Sequence, residues 1–140
     1  MKTNVPLRSE LPPSAWVRRF ATAIPQPGPV LDLACGRGRH TRFLRALNYQ
    51  VVALDRDEER LRELADDDGI EAIVSDLENG SDWPLGNRRF SGIIVTNYLY
   101  RPLFESIVRA LAPNGVLIFE TFAAGNERYG KPSNPAFLLR

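Results

Sequence analysis

The chain has 140 residues, 44% hydrophobic and 25% charged, the balance of one soluble globular domain. Eighteen Lys and Arg against 17 Asp and Glu leave a net charge of +1, so no overall field argues for a nucleic acid or an anionic membrane as partner. The single cysteine, Cys35, excludes an internal disulfide, no apolar run approaches the roughly 20 residues that span a bilayer, and the opening stretch has no hydrophobic signal region; the expected compartment is the cytoplasm.

Residues 1–13 mix Pro, charge and isolated apolar residues without a period and read as a flexible leader or lid, with one domain over residues 14–140. Ser14 is a good helix cap. After it Ala15, Trp16, Val17, Phe20, Ala21 and Ile24 recur at helical spacing, with Arg18 and Arg19 off the stripe. Pro25, Pro27, Gly28 and Pro29 end that helix. Short apolar runs then alternate with amphipathic stretches, the mark of βα units and a parallel sheet covered on both faces.

The first strand is Val30 to Leu33, followed by a glycine turn and a helix carrying Phe43, Leu44 and Leu47. Gln50 to Leu54 is the second strand. Asp57 caps the next helix, whose buried stripe is Leu61, Leu64 and Ala65 and which Gly69 stops. Ile70 to Val74 and Phe90 to Thr96 read as strands three and four, Pro102 to Leu111 as a helix, and Val116 to Phe122 as strand five, entered through the Pro113, Asn114, Gly115 turn. The tail ends on Phe137, Leu138 and Leu139, an apolar triplet that suggests a further element. The expected architecture is therefore an α/β, Rossmann-like three-layer sandwich with a mostly parallel sheet of about five strands.

In an open parallel sheet, ligands bind outside the carboxyl ends of the strands. Asp32, Ala34, Gly36 and Gly38 are expected after strand one, Asp55 after strand two, Asp76 after strand three, and Asn97 with Tyr98 after strand four. The intervals Asp32 to Asp55, Asp55 to Asp76 and Asp76 to Asn97 are 23, 21 and 21 residues, about one βα unit each. Three carboxylates thus converge on one rim.

Glycines 36 and 38 allow close backbone approach. Thr41 stands where a dinucleotide fingerprint has its third glycine, the phosphate-loop spacing is absent, and an acid at position 32 would repel a phosphate beside the turn. A nucleoside joined to a cationic amino acid fits better: the turn's amides accept its carboxylate and Asp32 attracts its cationic centre. Asp55 accepts the two ribose hydroxyls, and Asp76 the exocyclic amine of adenine, with Leu77 flanking the base. That ligand is S-adenosylmethionine, and no metal is expected.

The ordered segments VLDLACGRGRHTRFL, VVALDRD, SDLE and IIVTNYL resemble the motifs of class I S-adenosylmethionine-dependent methyltransferases over residues 28–122, and most of all the small bacterial stand-alone enzymes of the tellurite-resistance type. The resemblance implies that Asp32, Ala34, Gly36 and Gly38 surround the methionine part, Asp55 holds the ribose, Asp76 and Leu77 the adenine, and Asn97 the position after strand four. It also implies seven strands, whereas five are visible here. The chain then reads as a piece lacking the final antiparallel hairpin, or as one whose fifth strand is covered by a second copy in a homodimer.

The expected activity is in-line methyl transfer to a small-molecule nucleophile, with alignment rather than a strong base as the protein's contribution. The alternative is a module that binds S-adenosylmethionine without turnover; a nicotinamide reductase is opposed by Thr41 and Asp32. Cys35 reads as a small buried filler and His40 as a surface or capping residue. Tyr98 and Tyr100 stand equally as acceptor-pocket rings or as sheet cover, and the loop Gly125 to Gly130 equally as pocket wall or solvated loop.

Overall fold

The computed structural model describes residues 12–80, 82–96 and 100–120. The residues before 12, Asn97, Tyr98, the loop 125–130 and the terminal apolar triplet lie outside them. The element order is α1 (Ala15–Phe20), β1 (Val30–Leu33), α2 (Arg39–Ala46), β2 (Val51–Asp55), α3 (Glu58–Arg62), β3 (Ile70–Val74), β4 (Phe90–Thr96), α4 (Phe104–Arg109) and β5 (Leu111–Glu120), with one-turn 3₁₀ segments after α1 and before α4.

Local chemistry sets the helix starts. The Ser14 hydroxyl accepts the Val17 N–H at 3.1 Å, and the Asp57 carboxylate accepts those of Glu59 and Arg60 at 3.0 and 3.3 Å, so both N-caps expected from the sequence form. Val17 of α1, Ala21 of the 3₁₀ turn after it and Ile24 face the sheet, while Arg18 and Arg19 are exposed.

The five described strands are all parallel, in the order β3-β2-β1-β4-β5. The chain winds outward from β1 to β3, then returns to the other side of β1, so the order reverses between β1 and β4. Alternate strand residues face opposite layers. Val30, Val51, Ile94, Val116 and Ile118 pack under Val17, Ala21, Ile24, Leu44 and Tyr49 from α1, α2 and the segments that follow each. Leu31, Leu33, Val52, Leu54, Ile93, Val95, Leu117 and Phe119 face Leu85, Ile107 and Ala110. Leu61 and Leu64 of the α3 region close over Ala53. This is the expected three-layer sandwich. No described helix is long and apolar enough to cross a membrane.

Three expectations need correction. The segment expected as one helix from Pro102 to Leu111 is a 3₁₀ turn and the six-residue α4. Strand five begins earlier, at Leu111. Leu111 pairs with Phe90 and Val116 with Gly92, so five steps on β5 answer two on β4 and the Pro113, Asn114, Gly115 turn is looped out within the strand. Ala65 is exposed, because α3 ends at Arg62 and the chain behind it turns away after Leu64.

Tyr49 fixes the join between α1 and α2. It is 1% exposed and its hydroxyl, with one hydrogen to give, points at the carbonyls of Ala21 and Ile24 at 2.9 and 2.7 Å. Tyr49→Phe keeps the ring and takes the hydroxyl donor from the Ile24 carbonyl, while that of Ala21 keeps the Ile24 N–H at 3.0 Å, so a loss of about 1–3 kcal/mol in unfolding free energy is expected from denaturant titration. An unchanged midpoint would show that the hydroxyl contributes nothing.

Candidate cofactor site

The turn leaving β1 is built on backbone that ordinary residues avoid. Ala34, Gly36 and Gly38 have φ of 57°, 59° and 88°, all left-handed, and Gly38 is the N-cap of α2. The Cys35 N–H donates to the Leu54 carbonyl at 2.9 Å and the Gly38 N–H to that of Cys35 at 3.0 Å. The turn is thereby sewn to the end of β2.

Asp55 is the clasp. Strand β2 runs one residue further than expected, so Asp55 is its last residue instead of the first beyond it, and it is 8% exposed. One carboxylate oxygen accepts the Gly36 N–H at 3.2 Å and the other the Asp57 N–H at 3.0 Å. An ionised carboxylate offers about four lone-pair positions. Two remain for hydroxyl donors on the open side.

That side is a groove of about 350 Å³ at the carboxyl ends of β2 and β3, lined by Ala34, Leu54, Asp55, Ser75, Asp76 and Leu77 together with Arg56 and Glu78. Its volume lies within the range of small-molecule sites, about 300–1,000 Å³. Asp76 is exposed; one oxygen accepts the Glu78 N–H at 2.9 Å, which fixes the side chain and leaves its second oxygen for a ligand donor. Leu77 is half-buried against the core cluster below. Ala34, Asp55, Asp76 and Leu77, named from the sequence, thus meet in one groove.

Asp32 is placed differently from expectation. It lies within β1, third of its four residues, and is 2% exposed. Both faces of a parallel sheet are covered, so a polar residue inside the run is buried rather than presented at the tip. The Thr41 hydroxyl donates to Asp32 Oδ2 at 2.6 Å. Burial pushes the carboxyl up to about 7, against the opposing Thr41 hydrogen bonds and with further upward pressure from Asp55. Near neutral pH it stands between its neutral and anionic forms, and a nearby cation would favour the anion.

His40 is not on the surface. It is 3% exposed, and Nε2 accepts the Ser14 N–H at 3.0 Å. A backbone N–H only donates, so the ring hydrogen sits on Nδ1, 3.3 Å from Thr96 Oγ1. Burial, with Arg39 adding to it, lowers its pKa to about 4. The Arg39 guanidinium in turn donates to the Pro12 carbonyl at 3.2 Å. The first turn of α2 therefore anchors the start of α1. Cys35 is partly buried and its thiol is pushed well above the usual range by burial, in keeping with an inert filler.

Glu120, the last described residue of β5, was missed. It is 9% exposed and pairs in register with Thr96. The signal was present: VLIFE ends an apolar run on an acid as VVALD does at Asp55. The expected strand runs on to Phe122, outside the described residues, so the acid was read as lying inside the run.

Comparison with known proteins bears on this geometry. The model of a family described as a methyltransferase domain matches residues 8–135. YqeM of Bacillus subtilis (strain 168), which carries a provisional methyltransferase name, is 25% identical over 131 residues, covering 84% of this chain and 52% of YqeM. The chain thus spans about half the length of that curated relative. Among solved structures, the glycopeptide N-methyltransferase MtfA complexed with sinefungin superposes with a TM-score of 0.64 at 25% identity, over 91% of this chain and 62% of MtfA. A TehB-like S-adenosylmethionine-dependent methyltransferase from Corynebacterium glutamicum gives 0.64 at 24% identity, over 79% and 62%, a likeness of fold.

Proposed function

The chain belongs to the methyltransferase-domain family, and from that premise we propose that it moves the methyl group of S-adenosylmethionine to a small-molecule nucleophile in the cytoplasm. In this reading the nucleoside lies in the groove between the ends of β2 and β3, and the methionine part lies against the turn after β1. Asp55 takes the ribose hydroxyls, Asp76 the adenine amine, Leu77 the base, and Ala34, Gly36 and Gly38 leave room for the amino-acid end beside Asp32. Asn97 completes the set from its place after β4.

One observation carries the proposal: Asp55 is held by two backbone amides with its remaining lone pairs turned to an open groove that Asp76 and Leu77 also line. Two adjacent hydroxyls are the donors such a carboxylate selects. The fold class agrees, since the groove lies at the carboxyl ends of the strands and reaches Ala34 at the end of β1, the strand next to the reversal of order. The bound cofactor supplies a methyl group already activated by its sulfonium. What remains for this chain is alignment and exclusion of water, which alone reach effective molarities on the order of 10⁵ M or more.

Calorimetry with S-adenosylhomocysteine tests the assignment. Asp55→Ala is expected to weaken binding about 10–150-fold, the loss of charge-assisted hydrogen bonds of about 1.5–3 kcal/mol. Asp55→Asn, which keeps one carbonyl oxygen, should fall between. Equal affinity in wild type and Asp55→Ala would contradict the placement, and no heat with wild type would remove the cofactor reading altogether. A second copy joining along the outer edge of β5 belongs to the same proposal, and sedimentation velocity reports it.

A further inference from the structure

The nucleoside groove occupies the ends of β2 and β3, on one side of β1. The ends of β4 and β5, on the other side of β1, do not line that groove. Among the described residues of those two strand ends, Val95, Thr96, Phe119 and Glu120, the one ionisable side chain is Glu120. It stands two strand spacings from β1, about 10 Å.

Side-chain alternation gives its direction. Val116 and Ile118 face the α1–α2 layer and Leu117 and Phe119 the opposite one, so Glu120 follows Ile118. Thr96, its partner in register, faces the same layer, where it meets His40. Within the described residues Glu120 has no hydrogen-bond or ion-pair partner, although 91% of its surface is withdrawn from water, against an exposure of 9%. A carboxylate at a strand end with no described protein donor has its oxygens available to a cationic ligand. Asp32, Asp55 and Asp76 each have protein donors. Glu120 has none among the described residues.

We propose that Glu120 is the acceptor-side carboxylate, and that the acceptor it selects is an amine arriving as an ammonium ion. This rests on the methyl-transfer reading above. Among common methyl acceptors only the amine arrives as a cation; thiols, phenols and carboxylic acids arrive neutral or anionic, and a carboxylate repels the anionic forms. Glu120 pairs with the ammonium, then takes one of its protons. The freed nitrogen lone pair forms the new N–C bond as the methyl–sulfur bond breaks, its electron pair staying on sulfur. The positive charge passes from sulfur to the methylated nitrogen, and the proton leaves from the Glu120 carboxyl to water.

The test uses the full chain, with and without saturating S-adenosylhomocysteine, and paired probes of one shape: butylamine with butanol, and 2-phenylethylamine with 2-phenylethanol. Binding is read by NMR titration and thermal shift, and methyl transfer by S-adenosylhomocysteine formation. In wild type at least one amine is expected to bind tenfold or more tightly than its alcohol. Glu120→Gln should erase that preference, Glu120→Asp should keep part of it, and neither should alter the affinity for S-adenosylhomocysteine. An absent preference in every pair, or one that survives in Glu120→Gln, overturns the proposal. Because the titrations are also run without S-adenosylhomocysteine, failure of that compound to bind counts against the cofactor reading alone.

Discussion

Gly38→Ala is expected to lower the unfolding free energy by about 2–5 kcal/mol, while Gly36→Ala, two residues away on the same turn, should cost only about 1–2 kcal/mol. Both positions are left-handed, at φ 88° and 59°, and an L-residue there costs about 1–2 kcal/mol. The difference is space. A Cβ on Gly38 would lie 2.7 Å from Leu64 Cδ2 and 2.9 Å from Cδ1, whereas on Gly36 the nearest atom is Arg60 Nη1 at 3.9 Å. Leu64 is 3% exposed and packed with Leu61 over Ala53, so it cannot swing aside without disturbing that cluster. Overpacking of this kind costs about 1–3 kcal/mol. Chemical denaturation of Gly38→Ala, Leu64→Ala and the double variant separates the two causes. A coupling of about 1–3 kcal/mol in the double variant would assign the excess to the Leu64 overlap. Additive losses would mean that the backbone conformation alone is responsible.

The second large effect is a pair of opposed pH dependences. Asp32 titrates near 7 in the folded chain and at 3.8 when unfolded, so the folded state holds the extra proton between those values. Its contribution to stability is full below about pH 4 and is lost as pH rises to 7, at up to about 1.4 kcal/mol per unit. His40 titrates near 4 when folded and at 6.5 when unfolded, so there the unfolded chain holds the extra proton and stability rises with pH over nearly the same window. The two slopes offset each other in the wild type between about pH 4 and 6.5. Removing either exposes the other. Asp32→Asn should become more stable by about 2 kcal/mol from pH 4.5 to 6.5, and His40→Gln less stable by a similar amount. Urea unfolding of the three proteins at half-unit intervals decides this: parallel profiles would show that neither group carries the burial cost assigned to it.

Much of the architecture was readable because it follows from local pattern. VLDL, VVALD and FSGIIVT are apolar runs of strand length, and Ser14 and Asp57 begin helices through bonds to amides two or three residues away. The groove was readable for a related reason: one acid or small residue ends each βα unit, and parallel strands bring those ends together. What failed depends on distant packing. Nothing local indicates that α1 folds back to set the Ser14 amide on His40, 26 residues away, and so buries a ring that reads as a helix-surface residue. Asp32 was grouped with the residues after strand one, yet it lies within the strand, and a strand covered on both faces buries every position. Pro113 to Gly115 was read as a turn ahead of strand five, whereas those residues lie inside the strand, at an irregularity beyond which the pairing resumes.

The far margin of the sheet shapes how the molecule behaves in crowded solution. On β3 the Glu71 carboxylate is gripped through both oxygens by the Arg88 guanidinium, at 2.9 and 3.0 Å. A foreign polypeptide attempting to lengthen the sheet there would have to strip the hydration from a forked ion pair before gaining its first ladder bond, and charged outermost strands resist such accretion. Glu71 and Arg88 give that border a charged selvedge, the kind of feature that opposes edge-to-edge addition.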